Sequence, residues 1–474
     1  RVLEWNEQNL EPLSQREIEN VIKSAANHNY VFGCQTLERY HCDRLRCPLI
    51  PRELKIFSSN EVNKAEELAK DPNLLERFIE TTNRWIVRDE VIRRLCLRTY
   101  VSAFTDDPIN LVLLGRDSIG KSYVSVTVAK LFPLDLIWPL GGLSPTALAH
   151  DYGEYDEVRK AFTVDLNKRV LLFLEPPILE TLVKLKPILS HDRSEITFKV
   201  TQKTKSGSLR TITTVVKGWP AVVLCAAKAG YVSELASRWL TATPEISPSK
   251  TESAIMKRAE IAEDPLRFEE DEAVRIWRAY FTLLAKKAPI KVKIPYAKIL
   301  AEHFNKRGPE TTRVFNHFLR LIKANAALHF FQRKMDKDGY ILANYADFIQ
   351  VLSDFKQIAA PTFYGVSGDA LNLYYALRGK SDLRVEDIAV KARETFGVET
   401  PVTTLRELYI RRLVEAGLLS ERTDPLDKRR IIYDAHESQE ISVFTNEEEV
   451  RELVRKAEEN AAENIPGGGG VFSN

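Results

Sequence analysis

No apolar run in this 474-residue chain approaches the roughly 18 residues needed to cross a bilayer, and no signal-like segment is visible, so no membrane association is expected. Charge of one sign is lacking too. Lys and Arg total 68 against 66 Asp and Glu, a net +2, so bulk charge does not announce a nucleic-acid partner and local distribution must carry any such case. Methionine falls to two, and with many Glu, Lys and Arg the balance leans toward that of thermophilic proteins. Cysteine stops at five, three of them within Cys34 to Cys47, which excludes a disulfide framework and points to a reduced, cytoplasmic protein with one metal-like cluster. Cys96 and Cys225 read as buried thiols. What remains is ordinary: 44% hydrophobic and 28% charged residues describe a globular chain of about two to four domains. Its first residue is Arg1 and not Met, so a segment upstream is expected.

The most informative stretch is L-V-L-L-G-R-D-S-I-G-K-S, from Leu111 to Ser122. An apolar strand runs straight into G-x-x-x-x-G-K-S, a loop suited to a phosphate chain. Gly115 and Gly120 let backbone N–H groups turn inward, Lys121 supplies a cation, and Ser122 offers a hydroxyl to a metal. The run from Tyr123 to Leu131 continues as a helix whose positive N-terminus faces the phosphates. The candidate nucleotide-binding residues are therefore Gly115, Arg116, Asp117, Ser118, Ile119, Gly120, Lys121, Ser122 and Tyr123, with ATP and Mg²⁺ as the expected cofactors.

Along the rest of the chain, Ser14-Gln-Arg-Glu17 has the spacing of a capping box opening a helix to about Ala26. Helical patterns fill about 60–99. Apolar runs at Leu111–Leu114, Val170–Leu174 and Ala221–Cys225, separated by helical or charged stretches, imply a mainly parallel, helix-covered sheet. The Pro-, Ser-, Thr- and Lys-rich stretch 241–264 reads as a linker, and helices dominate 265–355. After Pro361 a smaller unit is expected. Helices near 368–378, 384–395 and 402–416, followed by a short hairpin reaching Arg430-Ile-Ile-Tyr433, form the winged-helix pattern. A charged helix, 447–464, precedes the flexible Pro466-Gly-Gly-Gly-Gly470.

Four features are placed to serve the phosphate loop. Arg169-Val-Leu-Leu-Phe-Leu-Glu175 is an apolar strand ending in a carboxylate, where an ATPase holds the acid that handles Mg²⁺ or orients water; a buried strand that happens to be followed by Glu is the plainer alternative. Residues 197–217 alternate like a hairpin, with Lys203, Lys205 and Arg210 around Ser206-Gly207, a basic tip fit to grip nucleic-acid phosphates or an ordinary solvated turn. Ser237-Arg238-Trp239 follows the Ala221–Cys225 strand, where a ring ATPase presents an arginine to its neighbour's γ-phosphate. Arg313 opens a long helix at a distance suited to reaching back over nucleotide.

With Gly142-Leu-Ser, Val222-Val-Leu-Cys-Ala-Ala227 and Thr312-Arg313…Leu319-Arg320-Leu321 added, the order of these segments resembles the AAA+ core of minichromosome maintenance (MCM) replicative helicases over roughly 111–355. The resemblance implies an α/β fold: a P-loop AAA+ core with a parallel sheet, a helical lid and a C-terminal winged-helix domain. The N-terminal block around Cys34, His41, Cys42 and Cys47 separately resembles the linker modules that follow primase-polymerase domains in plasmid and viral primase-helicases, so the expected division is a Cys-rich primase-linker-like segment (1–55), a helical region (56–100), an ATPase core (101–245), a linker and lid (246–355), the winged helix (356–445), and a charged helix with tail (446–474). The MCM resemblance makes Lys121 and Ser122 the Walker A ligands and Glu175 the Walker B acid. Lys205 becomes a DNA-touching hairpin lysine, Arg238 a trans-acting finger and Arg313 a sensor arginine. The partners implied are DNA, single-stranded in a channel and duplex at the winged helix, a homo-hexamer, and a primase domain or partner upstream.

Departures are equally legible. Leu174 and Pro176 flank a lone Glu175 where the family has Asp-Glu, and Ala227 or Lys228 stands where it has a sensor asparagine. These favour weakened hydrolysis, and keep open an origin-binding or helicase-loading ATPase that switches without translocating. Cys34, His41, Cys42 and Cys47 form a candidate Zn²⁺ or iron–sulfur site, with His28 or Cys96 as further ligands because adjacent His41 and Cys42 cannot easily share one ion.

Overall fold

The computed structural model describes residues 14, 16–19, 56–141, 153–203, 209–227, 238–269, 271–306, 308, 310–437 and 442–463. The chain divides into two compact units, Arg1–Asn63 and Lys64–Asn474. In the first, Glu17 accepts from the Ser14 amide at 2.8 Å and from its hydroxyl at 2.6 Å, the expected start signal, with one helical turn after it. The remainder of that predicted helix and the metal candidates Cys34, His41, Cys42 and Cys47 lie outside the described residues.

The second unit is mixed α/β around a central parallel sheet. Helices α1 (Ser59–Leu68, entering from the first unit), α2 (Leu74–Thr82) and α3 (Glu90–Ser102) lead to β1 (Asn110–Leu114) and α4 (Lys121–Ala129). Then come β2 (Ile137–Leu140), β3 (Glu154–Asp156), β4 (Ala161–Asp165), β5 (Val170–Phe173) and α5 (Leu179–Leu189). A long ribbon, β6 (Glu195–Lys203) and β7 (Leu209–Lys217), precedes β8 (Ala221–Ala226) and β9 (Leu240–Ala242). The five-stranded sheet runs β2-β5-β8-β1-β9, parallel throughout, so β8 separates β1 from β5. Strands β1, β5 and β8 are buried at every residue, which explains their almost wholly apolar composition, rich in Val and Leu.

A second sheet, ordered β3-β4-β7-β6, carries the ribbon. Strand β7 pairs in parallel with β4 from Thr214 to Lys217, and five further β6–β7 pairs, Lys199↔Thr213 to Lys203↔Leu209, project past that anchor.

The stretch expected to be a linker is in fact mostly helical. Ser247 caps α6 (Pro248–Glu263) by accepting from Lys250 N at 3.1 Å, Pro248 starts it, and none of its residues is buried, so no apolar periodicity marked it. Helix α7 (Glu272–Ala285), strand β10 (Lys291–Lys293), α8 (Ala297–His303), α9 (Thr311–Leu328) and strand β11 (Tyr340–Leu342) follow. Helix α10 (Tyr345–Tyr364) runs through Pro361, which had suggested a boundary; packing of the late turn outweighs one missing amide. After it come α11 (Gly368–Leu377), α12 (Val385–Phe396), a continuous helix α13 over 402–415 with a π-type middle, and the antiparallel pair β12 (Leu419–Thr423) and β13 (Ile431–Ala435). These share one core including Leu371, Tyr374, Ile388, Leu405 and Leu413. Helix α14 (Glu447–Glu463) buries Val450 and Val454 fully. Among the described residues, no helix is long and apolar enough to cross a membrane.

Buried ions tie the helices together. Asp354 of α10 accepts from Arg94 at 2.6 Å and from Arg98, both on α3, while Arg98 Nε also reaches Asn325 Oδ1 of α9 at 2.8 Å. Asn325 in turn donates to Asp347, which takes Arg333 at 2.7 Å. Arg98 and Asp354 have almost no exposure, so replacing Asp354 with Ala strands two guanidinium groups. Urea unfolding of D354A should show a loss of about 3–5 kcal/mol. His329, beside this network, has its imidazole pKa driven by burial from 6.5 down to about 4. The unfolded chain protonates first, so stability is whole above about pH 6.5 and erodes toward pH 4, by on the order of 3 kcal/mol. Comparing urea curves at pH 7 and 4.5, H329Q should remove that part of the slope.

Candidate functional site

The loop between β1 and α4 sits at the sheet's C-terminal edge, where crevices form in open parallel sheets. Gly115 N–H continues the β1–β8 ladder, donating to Ala226 O at 3.2 Å. The chain then turns through φ values closed to most side chains: Gly115 at +148°, Ser118 at +67° and Gly120 at +96°. A Cβ on Gly115 would meet Ile119 Cδ1 at 2.7 Å and Thr243 Cγ2 at 3.1 Å, whereas one on Gly120 would meet nothing within 4 Å. Asp117 and Ser118 are exposed, Arg116 and Ile119 half-buried.

Lys121 is buried and folds back over the loop, donating to the carbonyls of Gly115 and Arg116 at 2.7 Å each. Burial lowers its pKa, and the nearest carboxylate, Asp117, stands 3.9 Å away. An ammonium satisfied only by carbonyls is a cation that a phosphate chain can draw off. Ser122 Oγ lies 3.4 Å from Leu174 O, at the end of β5, so the hydroxyl and the following Glu175 face the same edge. Glu175 itself is exposed. These groups fit a nucleotide triphosphate with a divalent cation: Lys121 for phosphate oxygens, Ser122 and Glu175 for the metal.

Neighbouring elements brace the loop in ways sequence reasoning missed. Asp89, at the start of α3, has its carboxylate 1% exposed and its pKa raised by burial despite Lys250 beside it. It accepts from Glu245 N at 2.8 Å, and Lys250 reaches on to Ile119 O at 3.3 Å. Tyr123 OH donates to Trp85 O at 2.9 Å. Gly368 N donates to Thr243 Oγ1 at 2.7 Å, which brings the start of α11 to the loop, together with Asp369, Tyr409 and Arg412. A pairing across more than a hundred residues leaves no periodic trace.

The remaining candidates lie on other elements. Arg238 is half-buried just before β9. Arg313 lies in the first turn of α9, and farther along that helix Arg320 and Lys323 bind Asp107 at 2.7 and 3.0 Å, ahead of β1 at the opposite end of the sheet. The register sets Lys203 opposite Leu209 and Arg210 opposite Gln202 in the projecting ribbon; Lys205 falls outside the described residues. Cys96 and Cys225 are buried free thiols whose pKa burial raises, so neither is poised as a thiolate ligand. Among the described residues no cluster of His, Cys, Asp and Glu could hold a metal ion.

No protein-family profile matches this chain, and no curated protein matches it either. The functional reading therefore rests on its residues. Because Gly120 has open space around it, G120A should cost only backbone strain, about 1–2 kcal/mol. G115A must also displace Ile119 and Thr243, and should lower the melting temperature further in a side-by-side thermal scan.

Proposed function

We propose that this chain is an ATP-dependent DNA helicase or translocase of the MCM-like AAA+ type, cytoplasmic and active as a hexameric ring. One observation carries the reading: a G-x-x-x-x-G-K-S loop on β1, with β8 interposed between that strand and the carboxylate-ending β5. That strand order is the one in which AAA+ ATPases keep a sensor strand between Walker A and Walker B. The helix-helix-helix-hairpin unit at 368–435 supports a winged-helix assignment, and the ribbon emerging just before β8 supports a channel hairpin.

In this reading Lys121 would bind phosphate oxygens, Ser122 and Glu175 would hold the metal, and Glu175 would also orient the attacking water. Arg238 serves the site of an adjacent subunit as its arginine finger, and Arg313 is the sensor arginine of the lid. Lys203, Lys205 and Arg210 grip one DNA strand by its phosphates, giving sequence-independent, salt-sensitive binding. MgATP supplies the free energy of phosphoanhydride cleavage. The cysteine segment would hold Zn²⁺ or an iron–sulfur cluster beside an upstream primase partner.

A second reading has its own support. Leu174 and Pro176 around Glu175, and Ala227 at the end of β8, leave the site short of one acid and one amide, as a loading or origin-binding ATPase that only switches would tolerate.

ATP turnover measured with and without single-stranded DNA, paired with mass photometry in ATP, separates the two. The helicase reading expects DNA-stimulated turnover in a hexamer. It also expects K121A to be inactive, E175Q to lose at least about 100-fold in kcat while still binding ATP, and K205A to bind nucleotide but displace no strand. A monomer indifferent to DNA favours the switch.

A further inference from the structure

Asp89 occupies the N-cap position of α3, where a carboxylate ordinarily accepts from the helix's first amides, yet it makes no capping bond. It and Arg88 both sit at φ +56°, a conformation that costs free energy for a residue with a Cβ and persists where surrounding contacts impose it. Those contacts lead to one segment, 245–250. Arg88 pairs with Glu245 at 2.6 Å, Asp89 Oδ1 accepts from Glu245 N at 2.8 Å, and Asp89 Oδ2 pairs with Lys250. The start of α3 has given up its own cap to hold the start of α6.

Lys250 passes that hold on. Its side chain is 13% exposed, and its three N–H donors have three acceptors: Asp89, the Glu245 carbonyl at 2.9 Å and the Ile119 carbonyl at 3.3 Å. The third lies in the phosphate loop. Ile119 O belongs to the same planar, trans peptide unit as the Gly120 N–H, and in such a unit the two groups point to opposite sides. Fixing the carbonyl toward Lys250 therefore turns the Gly120 N–H away from it. That amide has no hydrogen-bond acceptor among the described residues. Gly120, at φ +96° with open space where a Cβ would stand, brings no side chain to set the plane itself.

We propose that Lys250 is a positioning residue for phosphate: it orients the Ile119–Gly120 peptide so that the Gly120 N–H is presented to a nucleoside di- or triphosphate in the loop, and Asp89 anchors Lys250 for that purpose. Helix α6, none of whose residues is buried, thereby has a task that packing does not give it. The inference rests on the nucleotide reading of the loop.

Calorimetric titration of the full chain with ADP and with a slowly hydrolysed ATP analogue, beside urea unfolding, tests it. K250M strands the Asp89 carboxylate and should lose stability as well as affinity. The double variant D89N/K250M removes both charges, so stability should return while affinity does not. Both should bind each nucleotide about tenfold more weakly than wild type, a factor within reach of one charge-assisted hydrogen bond. D354A, which breaks a buried ion pair elsewhere, should bind as wild type does at a temperature where it is folded. In ATP turnover by D89N/K250M the loss should appear in KM with kcat kept. Wild-type affinity in the double variant, an equal affinity loss in D354A, or a loss confined to kcat overturns this proposal alone. Wild-type protein that binds neither nucleotide overturns the nucleotide reading with it.

Discussion

The arrangement at the sheet's upper edge follows from burying β1 on every side. Flanked by β8 and β9 and covered by helices, its residues have no solvent to face, so the chain can only leave the strand at its end. There the ladder hydrogen bond from Gly115 to Ala226 holds the loop's first residue, and α4 fixes its last. Between them a few residues span the gap in conformations that glycine permits. Lys121, Ser122, the end of β5 and the end of β8 converge as a consequence of strand order, not of any attraction between those side chains.

Much of this was written locally. Val and Leu runs bounded by polar residues mark β1, β5 and β8 to within a residue or two, and alternation over 197–217 marks the ribbon, because strands buried on two faces and strands buried on one leave different patterns. The helices of 368–415 were equally plain from spacing and caps. Helix α6 was hidden because it buries nothing, and the end of α10 because Pro361 imitates a boundary. The bracing of the loop by Asp89, Lys250 and Thr243 could not be read at all. Such contacts join positions whose separation along the chain carries no signal, and each residue alone passes for an ordinary surface charge or hydroxyl.

The two charged clusters differ in what they permit. The Arg94, Arg98 and Asp354 set lies inside the packed helices, where Asp354 and Asn325 accept from the two guanidinium groups and tie α3, α9 and α10 together, with Arg98 Nη2 left without a hydrogen-bond partner among the described residues. The cluster at the loop lies nearer the surface: Lys121 rests on two carbonyls with Asp117 3.9 Å away, and Arg412 pairs with Glu415. Rigidity lies behind the site, while the carboxylates that face the loop's cations, Asp117 and Glu415, are solvent-exposed.

Strand β8 adds a mechanical consequence. It is a six-residue rod, about 20 Å long, hydrogen-bonded along both flanks and therefore unable to stretch or buckle. One end abuts the phosphate loop at Ala226; the other meets the base of the ribbon across Gly218, whose backbone lies against Asn167. Any displacement at that glycine would be enlarged along the overhang of β6 and β7, whose five outer pairs run past the anchor on β4.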